Sequence, residues 1–135
     1  MTSPLTPGMS AELEITVTRE LTADTLGNKG VLVFATPFVI ASLENASSAV
    51  LKRHLPPGGG SVGTMVEVNH LAATPVGMTV RVKATILETD GKRVLFAVEA
   101  WDEVEKVAEG RHERVVVGNL ERFLGRAMAK GKSRS

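Results

Sequence analysis

The stretch ATPFVIASLENASSAVLKRHLPPGGG, residues 35–60, decides the fold because it carries the signals for both ends of a helix. A threonine can cap a first helical turn, and a proline in that turn loses no hydrogen bond, so Thr36-Pro37 predicts the start. The run PPGGG at 56–60 predicts the end. Between them, one apolar stripe recurs at helical spacing: Val39, Leu43, Ala46 and Val50. The sequence therefore predicts one long helix over about residues 37–54.

Segments on both sides of this helix alternate apolar and polar residues, which is the period of a half-buried strand. Before the helix, ELEITVTREL at 12–21 shows this alternation. After the helix, a further strand is predicted in which four side chains lie on the same face: Val62, Val66, Val68 and His70. Residues 78–86 and 94–100 also alternate, and the Asp-Gly pair at 90–91 between them predicts a tight hairpin. A last strand is predicted at about 106–117.

The predicted order of one strand, one helix and four further antiparallel strands is an α+β arrangement. A chain of 135 residues fits one domain, here with a loose N-terminus at 1–10 and a basic C-terminal tail at 124–135. The basic segment after Gly118 is expected to be a frayed helix or a tail. A single helix cannot cover both faces of a five-stranded sheet. Residues 94–101 have apolar side chains at odd and at even positions, so both faces of this strand are apolar. A second copy would cover the remaining surface. We therefore expect a homodimer, or a dimer of dimers.

Charge and cysteine content argue against several classes of function. The chain has 16 basic and 15 acidic residues, so no overall field favours nucleic acid or an acidic membrane. It has no cysteine, and its three histidines lack the spacing of a metal motif, so we expect no metal and no redox chemistry. The N-terminal segment does not have the pattern of a signal peptide, and no apolar run is long enough to span a membrane. These observations predict a cytoplasmic protein.

Three segments carry a resemblance to a known family: ATPFVIASLENA (35–46), GSVGTMVEVNHLAATPVGMTV (60–80) and EGRHERVVVGNLERF (109–123). They resemble the fluoroacetyl-CoA thioesterase branch of the hotdog superfamily. The resemblance implies a hotdog fold, in which a five-stranded antiparallel sheet wraps around one long central helix and the active sites lie at a dimer interface. It also implies that residues 1–135 form a single hotdog thioesterase-like domain.

The same resemblance implies that the protein is an acyl-CoA thioesterase, a hydrolase that converts a small acyl-CoA to the free acid and coenzyme A. The spacing of three residues matches the catalytic threonine, glutamate and histidine of the branch: Thr36, Glu44 and His70. Coenzyme A would enter as part of the substrate, with no separate cofactor. Two other functions on this fold stay open, a non-catalytic acyl-CoA binding module or sensor and a hydratase or dehydratase.

Each of these three residues has a functional and a purely structural interpretation. His70 has an ordinary pKa close to neutral pH and suits proton transfer, or it is a strand histidine with a backbone partner. If Glu44 is buried, it would act as a base, a nucleophile or a partner of His70, and otherwise it is an exposed helical residue. Thr36 would be a nucleophile, or it serves only as the helix cap.

Helix geometry separates two of the three candidates. Eight helical residues rise about 12 Å, so a capping Thr36 and Glu44 of the same chain cannot share a hydrogen bond. Either the helix starts later and the chain bends back, or Thr36 meets its partners across a subunit interface. We expect an active site that contains residues from two chains.

Further residues would bind the substrate. By resemblance, Gly63 lies beside the acyl group and Arg114 near the site, although a bulge glycine and a cross-strand ion pair explain them as well. Backbone N–H groups at the helix start could bind the thioester oxygen. Cations are available for the CoA phosphates, with none assigned: Lys52, Arg53, Arg122, Arg126, Lys130, Lys132 and Arg134.

The resemblance has one departure. The fluoroacetyl-specific member closes its acyl pocket with aromatic residues just before the threonine, whereas residues 22–33 of this chain contain no aromatic residue. We therefore expect an aliphatic or otherwise ordinary small acyl group instead of fluoroacetyl.

Overall fold

The computed structural model describes residues 4–134, which form five strands and two α-helices. Two short 3-10 turns, Arg19–Leu21 and Ala23–Leu26, follow the first strand. The strands and helices, in chain order, are β1 (Ser10–Thr16), α1 (Thr36–Lys52), β2 (Gly60–His70), β3 (Thr79–Thr89), β4 (Arg93–Trp101), β5 (Lys106–Val117) and α2 (Leu120–Lys132).

All five strands belong to one antiparallel sheet with the order β1-β3-β4-β5-β2. The strand after the helix therefore pairs with the last strand and lies at an edge of the sheet. α1 contacts every strand. A flat sheet of five strands would be about 19 Å wide and a helix is about 10–12 Å across, so contact with all five requires the sheet to curve around α1. The predicted α+β architecture is confirmed.

The core lies between α1 and the concave face of the sheet. The predicted stripe of Val39, Leu43, Ala46 and Val50 is at most 2% exposed. Alternate residues of β4 are fully buried against it: Val94, Phe96, Val98 and Ala100. Each large apolar side chain buried here stabilises the fold by roughly 1.5–3 kcal/mol. The helical period predicted from the sequence thus selects the face of α1 that packs on the sheet.

The start of α1 differs from the prediction in one way. Ala35, with extended backbone, is the residue before the helix, and Thr36 is its first helical residue. Pro37 lies in the first turn as predicted. The interpretation of Thr36 as a helix cap is therefore wrong, because its hydroxyl makes no capping hydrogen bond and is directed elsewhere.

The predicted hairpin joins β3 to β4. Gly91 has φ of 93°, a left-handed backbone conformation that favours glycine. The Asp90 carboxylate accepts hydrogen bonds from the backbone N–H groups of Lys92 and Arg93 at 2.9 and 2.8 Å. The Asp-Gly pair therefore forms the turn for the reasons that its sequence indicates.

β2 contains a bulge at Thr64, where its register against β5 shifts by one residue. Gly63 before the bulge and Val66 after it both face α1, because both lie opposite β5 residues whose side chains point to that side. Val62 therefore lies on the opposite face from His70. The prediction that these two share a face is wrong, since one inserted residue inverts the alternation along a strand.

β5 approaches β2 closely at Gly110. A Cβ atom at this position would lie 1.9 Å from the Glu67 carbonyl oxygen and 2.8 Å from the Cα atom of Val68. Both neighbours are backbone atoms, so they cannot move aside as the end of a side chain could. Position 110 therefore accepts only glycine.

The ends of the chain also correct the prediction. The first strand ends at Thr16 and not at residue 21, and Ser10, assigned to the loose terminus, already belongs to β1. Leu5 and Met9 pack against the core, and residues 1–3 and 135 lie outside the described residues. Of the two forms predicted for the basic C-terminal segment, a frayed helix or a tail, the structure has the helix, which is α2 and ends at Lys132. Within residues 4–134, no helix has the length and apolar character needed to cross a membrane.

Candidate active site

The hydroxyl of Thr36 and the ring of His70 form a direct hydrogen bond. Thr36 Oγ1 lies 2.7 Å from Nδ1 of His70, although the two residues are 34 positions apart in the sequence. The contact joins the first residue of α1 to the last residue of β2. It is formed within one chain, so this half of the site needs no second subunit. Of the two alternatives, the one in which Thr36 meets its partners across a subunit interface is therefore wrong for His70.

Two loops bring these residues together. The segment before α1 is held by hydrogen bonds from the backbone N–H of Phe34 to the Thr74 carbonyl at 2.8 Å and from that of Ala35 to the Leu21 carbonyl at 2.9 Å. Leu71, directly after His70, donates its backbone N–H to the Val107 carbonyl at 2.8 Å. These bonds fix the start of α1 beside the end of β2, so the contact follows from the backbone path.

The pair lies at an open cavity of about 360 Å³. Besides Thr36 and His70, its wall is mostly small and aliphatic: Ala23, Val31, Val33, Ala35, Leu71, Ala72 and Ala73, with Phe34 and Asn28. Part of this wall comes from residues 22–33, the segment that the sequence shows to be free of aromatic residues. The cavity has room for a small acyl group beside a hydroxyl and an imidazole.

His70 is neutral at neutral pH. Burial lowers the pKa of His70 below its ordinary value of 6.5, and the nearby backbone of Ala72 only partly opposes this. A neutral ring with its proton on Nε2 has a bare Nδ1, which can accept the Thr36 hydroxyl proton. Nε2 is buried and has no hydrogen-bond partner within residues 4–134. A hydroxyl and an imidazole in this arrangement can exchange a proton directly.

Glu44 lies in a different group of residues. Its Oε2 atom is 3.6 Å from Nη1 of Arg114 and 4.0 Å from Nε2 of His112, both on β5. The carboxylate is 39% exposed, whereas the side chains of Arg114 and His112 are 10% and 2% exposed. Glu44 is therefore neither free in solvent nor fully buried. Its second oxygen, Oε1, makes no hydrogen bond or ion pair in the part of the chain that the structure describes.

Arg114 is fixed through all three of its nitrogen atoms. Nε donates to Oγ of Ser61 at 2.9 Å and Nη2 donates to the Ser61 carbonyl at 3.0 Å. Nη1 faces both the Glu44 carboxylate and Nε2 of His112, the latter at 3.1 Å. Burial lowers the pKa of Arg114 and the Glu44 carboxylate opposes this, yet an arginine stays charged in proteins. The ion pair runs from strand to helix and is not the cross-strand pair considered from the sequence.

Gly63 leaves the space that this group occupies. A Cβ atom there would lie 3.1 Å from Cε1 of His112 and 3.2 Å from Oε2 of Glu44. Both distances are shorter than ordinary van der Waals contact, so a side chain would push the carboxylate away. Gly63 also borders the bulge of β2. The two interpretations offered for this glycine are therefore compatible.

The three predicted catalytic residues thus fall into two groups within one chain. The structure brings Thr36 to His70 and Glu44 to Arg114, with Gly63 beside the second group. No hydrogen bond or ion pair joins Glu44 to either of the other two within residues 4–134. The separation follows the rise of α1, in which Thr36 and Glu44 are about 12 Å apart along the axis.

Comparisons with known proteins identify the family. The model of the fluoroacetyl-CoA-specific thioesterase family matches residues 17–119, which is most of the chain. The chain belongs to this family. A fluoroacetyl-CoA thioesterase of Streptantibioticus cattleyicolor is 41% identical over 98 residues, which cover 73% of this chain and 70% of that protein.

Solved structures agree with this assignment. A structure of the fluoroacetyl-CoA thioesterase superposes with a TM-score of 0.89 at 32% identity and covers 95% of this chain and 98% of that one. A mutant of the fluoroacetyl-CoA-specific thioesterase in complex with fluoroacetate and CoA gives a TM-score of 0.83 at 34% identity, covering 88% of this chain and 99% of that one. The predicted hotdog fold and the predicted thioesterase class are confirmed by these matches.

Sequence reasoning missed one residue of this thioesterase's site. His112 is 1% exposed and contacts both members of the Glu44–Arg114 pair, yet its sequence context gave only the absence of a metal motif. A signal was present, because residues two apart on a strand share a face and so His112 must point the same way as Arg114. The polar run RHER does not show which face of β5 is buried. The position of α1 in the structure shows that the side chains of His112 and Arg114 point towards the core.

Proposed function

We propose that this protein hydrolyses a small acyl-CoA thioester, with Thr36 as the nucleophile and His70 as its general base. The hydrogen bond of 2.7 Å between Thr36 Oγ1 and His70 Nδ1 carries the proposal. A hydroxyl becomes a useful nucleophile when an adjacent base can take its proton, and a neutral imidazole does so near neutral pH. Membership of the thioesterase family supports the same reaction.

In the first step, Thr36 Oγ1 forms a bond to the thioester carbonyl carbon while its proton passes to His70 Nδ1. The carbonyl oxygen takes up the negative charge. One donor is free for it, since Pro37 has no N–H and those of Phe38 and Val39 both donate to the Ala35 carbonyl. The backbone N–H of Thr36 makes no hydrogen bond within residues 4–134 and lies at the positive end of the helix dipole. It supplies the oxyanion donor.

The C–S bond then breaks, and the proton held by His70 passes to the departing coenzyme A sulfur. This leaves an acyl ester on Thr36. In the second step, a water molecule attacks this ester and restores the threonine hydroxyl as the free acid leaves. Glu44, with its unengaged Oε1 atom, is the proposed base that takes the proton of that water, and this proton passes to Thr36 Oγ1 as the ester bond breaks. Arg114 holds the carboxylate by its other oxygen.

Glu44 reaches the acyl ester from a second subunit. The outer edge of β2 pairs with no strand in residues 4–134, and unpaired edges favour pairing with another chain. Gly63 and His70 lie towards opposite ends of β2. Antiparallel pairing of two copies of β2 about a two-fold axis would place the His70 end of one next to the Gly63 end of its partner. A homodimer of this kind unites the two halves of the site.

The substrate is a small acyl-CoA. Relatives of known structure include a complex with CoA, and the open aliphatic cavity at Thr36 suits a short acyl chain. Lack of aromatic residues at 22–33 favours an ordinary acyl group over a fluorinated one. Location in the cytoplasm, where acyl-CoA is available, is part of the proposal.

The test of the chemistry is release of free thiol from a panel of short acyl-CoAs. The wild-type enzyme should turn over, whereas Thr36→Ala should not. In Glu44→Ala the second step slows, so intact-protein mass spectrometry should detect an acyl adduct that peptide mapping places on Thr36. An adduct on Glu44 in the Thr36→Ala variant would reverse the two roles. Binding of acyl-CoA without thiol release would reject hydrolysis altogether.

The test of the two-chain site is complementation between inactive variants. Glu44→Ala and His70→Ala are co-expressed with different affinity tags, and the mixed dimer is purified through both tags. One of its two sites then has both wild-type residues, so about half of the wild-type activity should return in a closed two-fold dimer. The matched control is Glu44→Ala with itself, purified in the same way. Failure of the mixed dimer to recover activity would show that Glu44 acts on His70 of its own chain or not at all.

A further inference from the structure

His112 is a buried ionisable side chain that the proposed steps do not use. It lies on β5 opposite Val66, and its ring stacks on Phe96 with centroids 6.5 Å apart and planes at 25°. Its Nδ1 atom is 2.8 Å from the carbonyl oxygen of Met65 and its Nε2 atom is 3.1 Å from Nη1 of Arg114. Both ring nitrogens therefore have a partner at hydrogen-bond distance.

The chemistry of these two partners fixes the tautomer. A carbonyl oxygen can only accept, so Nδ1 of His112 must carry the proton. A guanidinium can only donate, so Nε2 must be bare and accept from Arg114. The ring is thus neutral with its proton on Nδ1, the opposite tautomer from the one that the proposed mechanism requires of His70. Burial also lowers the pKa of His112 below its ordinary value of 6.5, and the charge of Arg114 acts in the same direction, while Met65 and Glu44 oppose it.

We infer that His112 is a positioning residue for Glu44: its bare Nε2 fixes the Nη1 end of Arg114, and this end holds the Glu44 carboxylate. The inference rests on the proposed function, in which Glu44 activates water. The other end of Arg114 is fixed by Ser61 independently of His112. Loss of the acceptor at position 112 should therefore free only the half of the guanidinium that faces Glu44.

Two carboxamide variants separate this role from a purely structural one. His112→Gln reaches the position of Nε2, so its amide oxygen can still accept from Arg114. His112→Asn reaches only the position of Nδ1, so it keeps a donor for the Met65 carbonyl and loses the acceptor for Arg114. Both are polar, uncharged and smaller than or similar to histidine in volume, which makes them matched controls for each other.

The expected result is a change in kcat without a matching change in KM. His112→Asn should lower kcat by about 10-fold to 100-fold, the range found when a group that orients a functional ligand is removed, with KM little changed. His112→Gln should restore most of the turnover. Equal losses in both variants, in proportion to their loss of thermal stability, would mean that His112 only fills and stabilises the core.

Two NMR measurements test the inference without any assay of activity. The ¹⁵N shifts of His112 should show protonated Nδ1 and bare Nε2, and the opposite tautomer would overturn the inference. The Nη protons of Arg114 should be separately resolved in the wild type and in His112→Gln, and averaged by rotation in His112→Asn. If Glu44→Ala proved fully active while these spectra were as expected, the proposed function would fail and the contact between His112 and Arg114 would stand.

Discussion

The two halves of the site differ in how their residues are held. The Thr36–His70 pair lies at an open cavity, is uncharged, and consists of one hydrogen bond between side chains. The Glu44–Arg114–His112 group carries two opposite charges, lies mostly in the core and is connected by hydrogen bonds to two further residues, Ser61 and Met65. The first arrangement suits two side chains that exchange a proton directly with each other, and the second suits a carboxylate that must keep its position when it acts on water. Substitutions in the two halves should therefore have different effects on activity and on stability.

The largest expected effect on activity comes from the first half. His70→Ala removes the base that accepts the Thr36 proton, so kcat should fall by about 10²-fold to 10⁴-fold. Thermal stability should change little, because His70 has a single side-chain hydrogen bond and its Nε2 has no hydrogen-bond partner within residues 4–134. Thiol release and thermal unfolding measured on the same sample check both parts. A loss of activity matched by unfolding would remove the distinction between the halves.

The next effect combines stability and activity in the second half. Arg114→Met keeps an unbranched side chain but leaves Nε2 of His112 without its donor and Glu44 without its cation. Leaving a buried polar group unpaired costs about 1–3 kcal/mol in the free energy of unfolding, and the partial exposure of Glu44 keeps the charge contribution small. Urea unfolding measures this cost, and thiol release should fall as well. A fully stable Arg114→Met variant would show that the group is not held as the structure indicates.

The smallest effect concerns pH. Both histidines have a pKa in the folded state below the ordinary 6.5, so the unfolded chain binds more protons between the folded-state pKa and 6.5. Their contribution to stability is therefore complete above about pH 6.5 and decreases as the pH falls towards the folded-state pKa. Urea midpoints at about pH 7.5 and about pH 5.5 should fall less in His112→Gln than in the wild type. The same two urea midpoints measured for His70→Gln show how much His70, the more exposed histidine, contributes to the pH dependence of stability.

Much of the fold could be predicted from the spacing of apolar residues in the sequence and from the turn residues between those segments. The stripe on α1, the β3–β4 hairpin and the bounds of β5 came from local patterns that tertiary contacts did not override. The bulge at Thr64 has no such pattern, because the sequence there reads as a continuous alternation. The face assigned to Val62 was wrong for this reason. The sequence left the basic C-terminal segment open between a frayed helix and a tail, whereas the side chain of Asn119 caps a helix that runs from Leu120 to Lys132.

The sequence could predict which residues belong to the candidate site, but it could not predict which of them contact one another. Thr36, Glu44 and His70 came from resemblance, and the rise of a helix correctly separated Thr36 from Glu44. That His70 belongs with Thr36 in the same chain depends on two loops whose hydrogen bonds no local pattern shows. His112 needed the burial of one face of β5. Sequence therefore identified the reactive groups, and the structure decided which of them meet.

The extra residue in β2 also makes the site sensitive to a kind of change that substitution scans do not sample. Deleting Thr64 would give a regular ladder with β5 in which Gly63 still lies opposite Arg114, so every residue of β2 would keep its side. Deleting Gly63 instead would leave Thr64 to lie opposite Arg114, so a side chain would occupy the space of the Glu44 carboxylate. Loss of a single codon would therefore spare the site at one position of β2 and block the carboxylate at the position before it, although every reactive residue would still be present in the sequence.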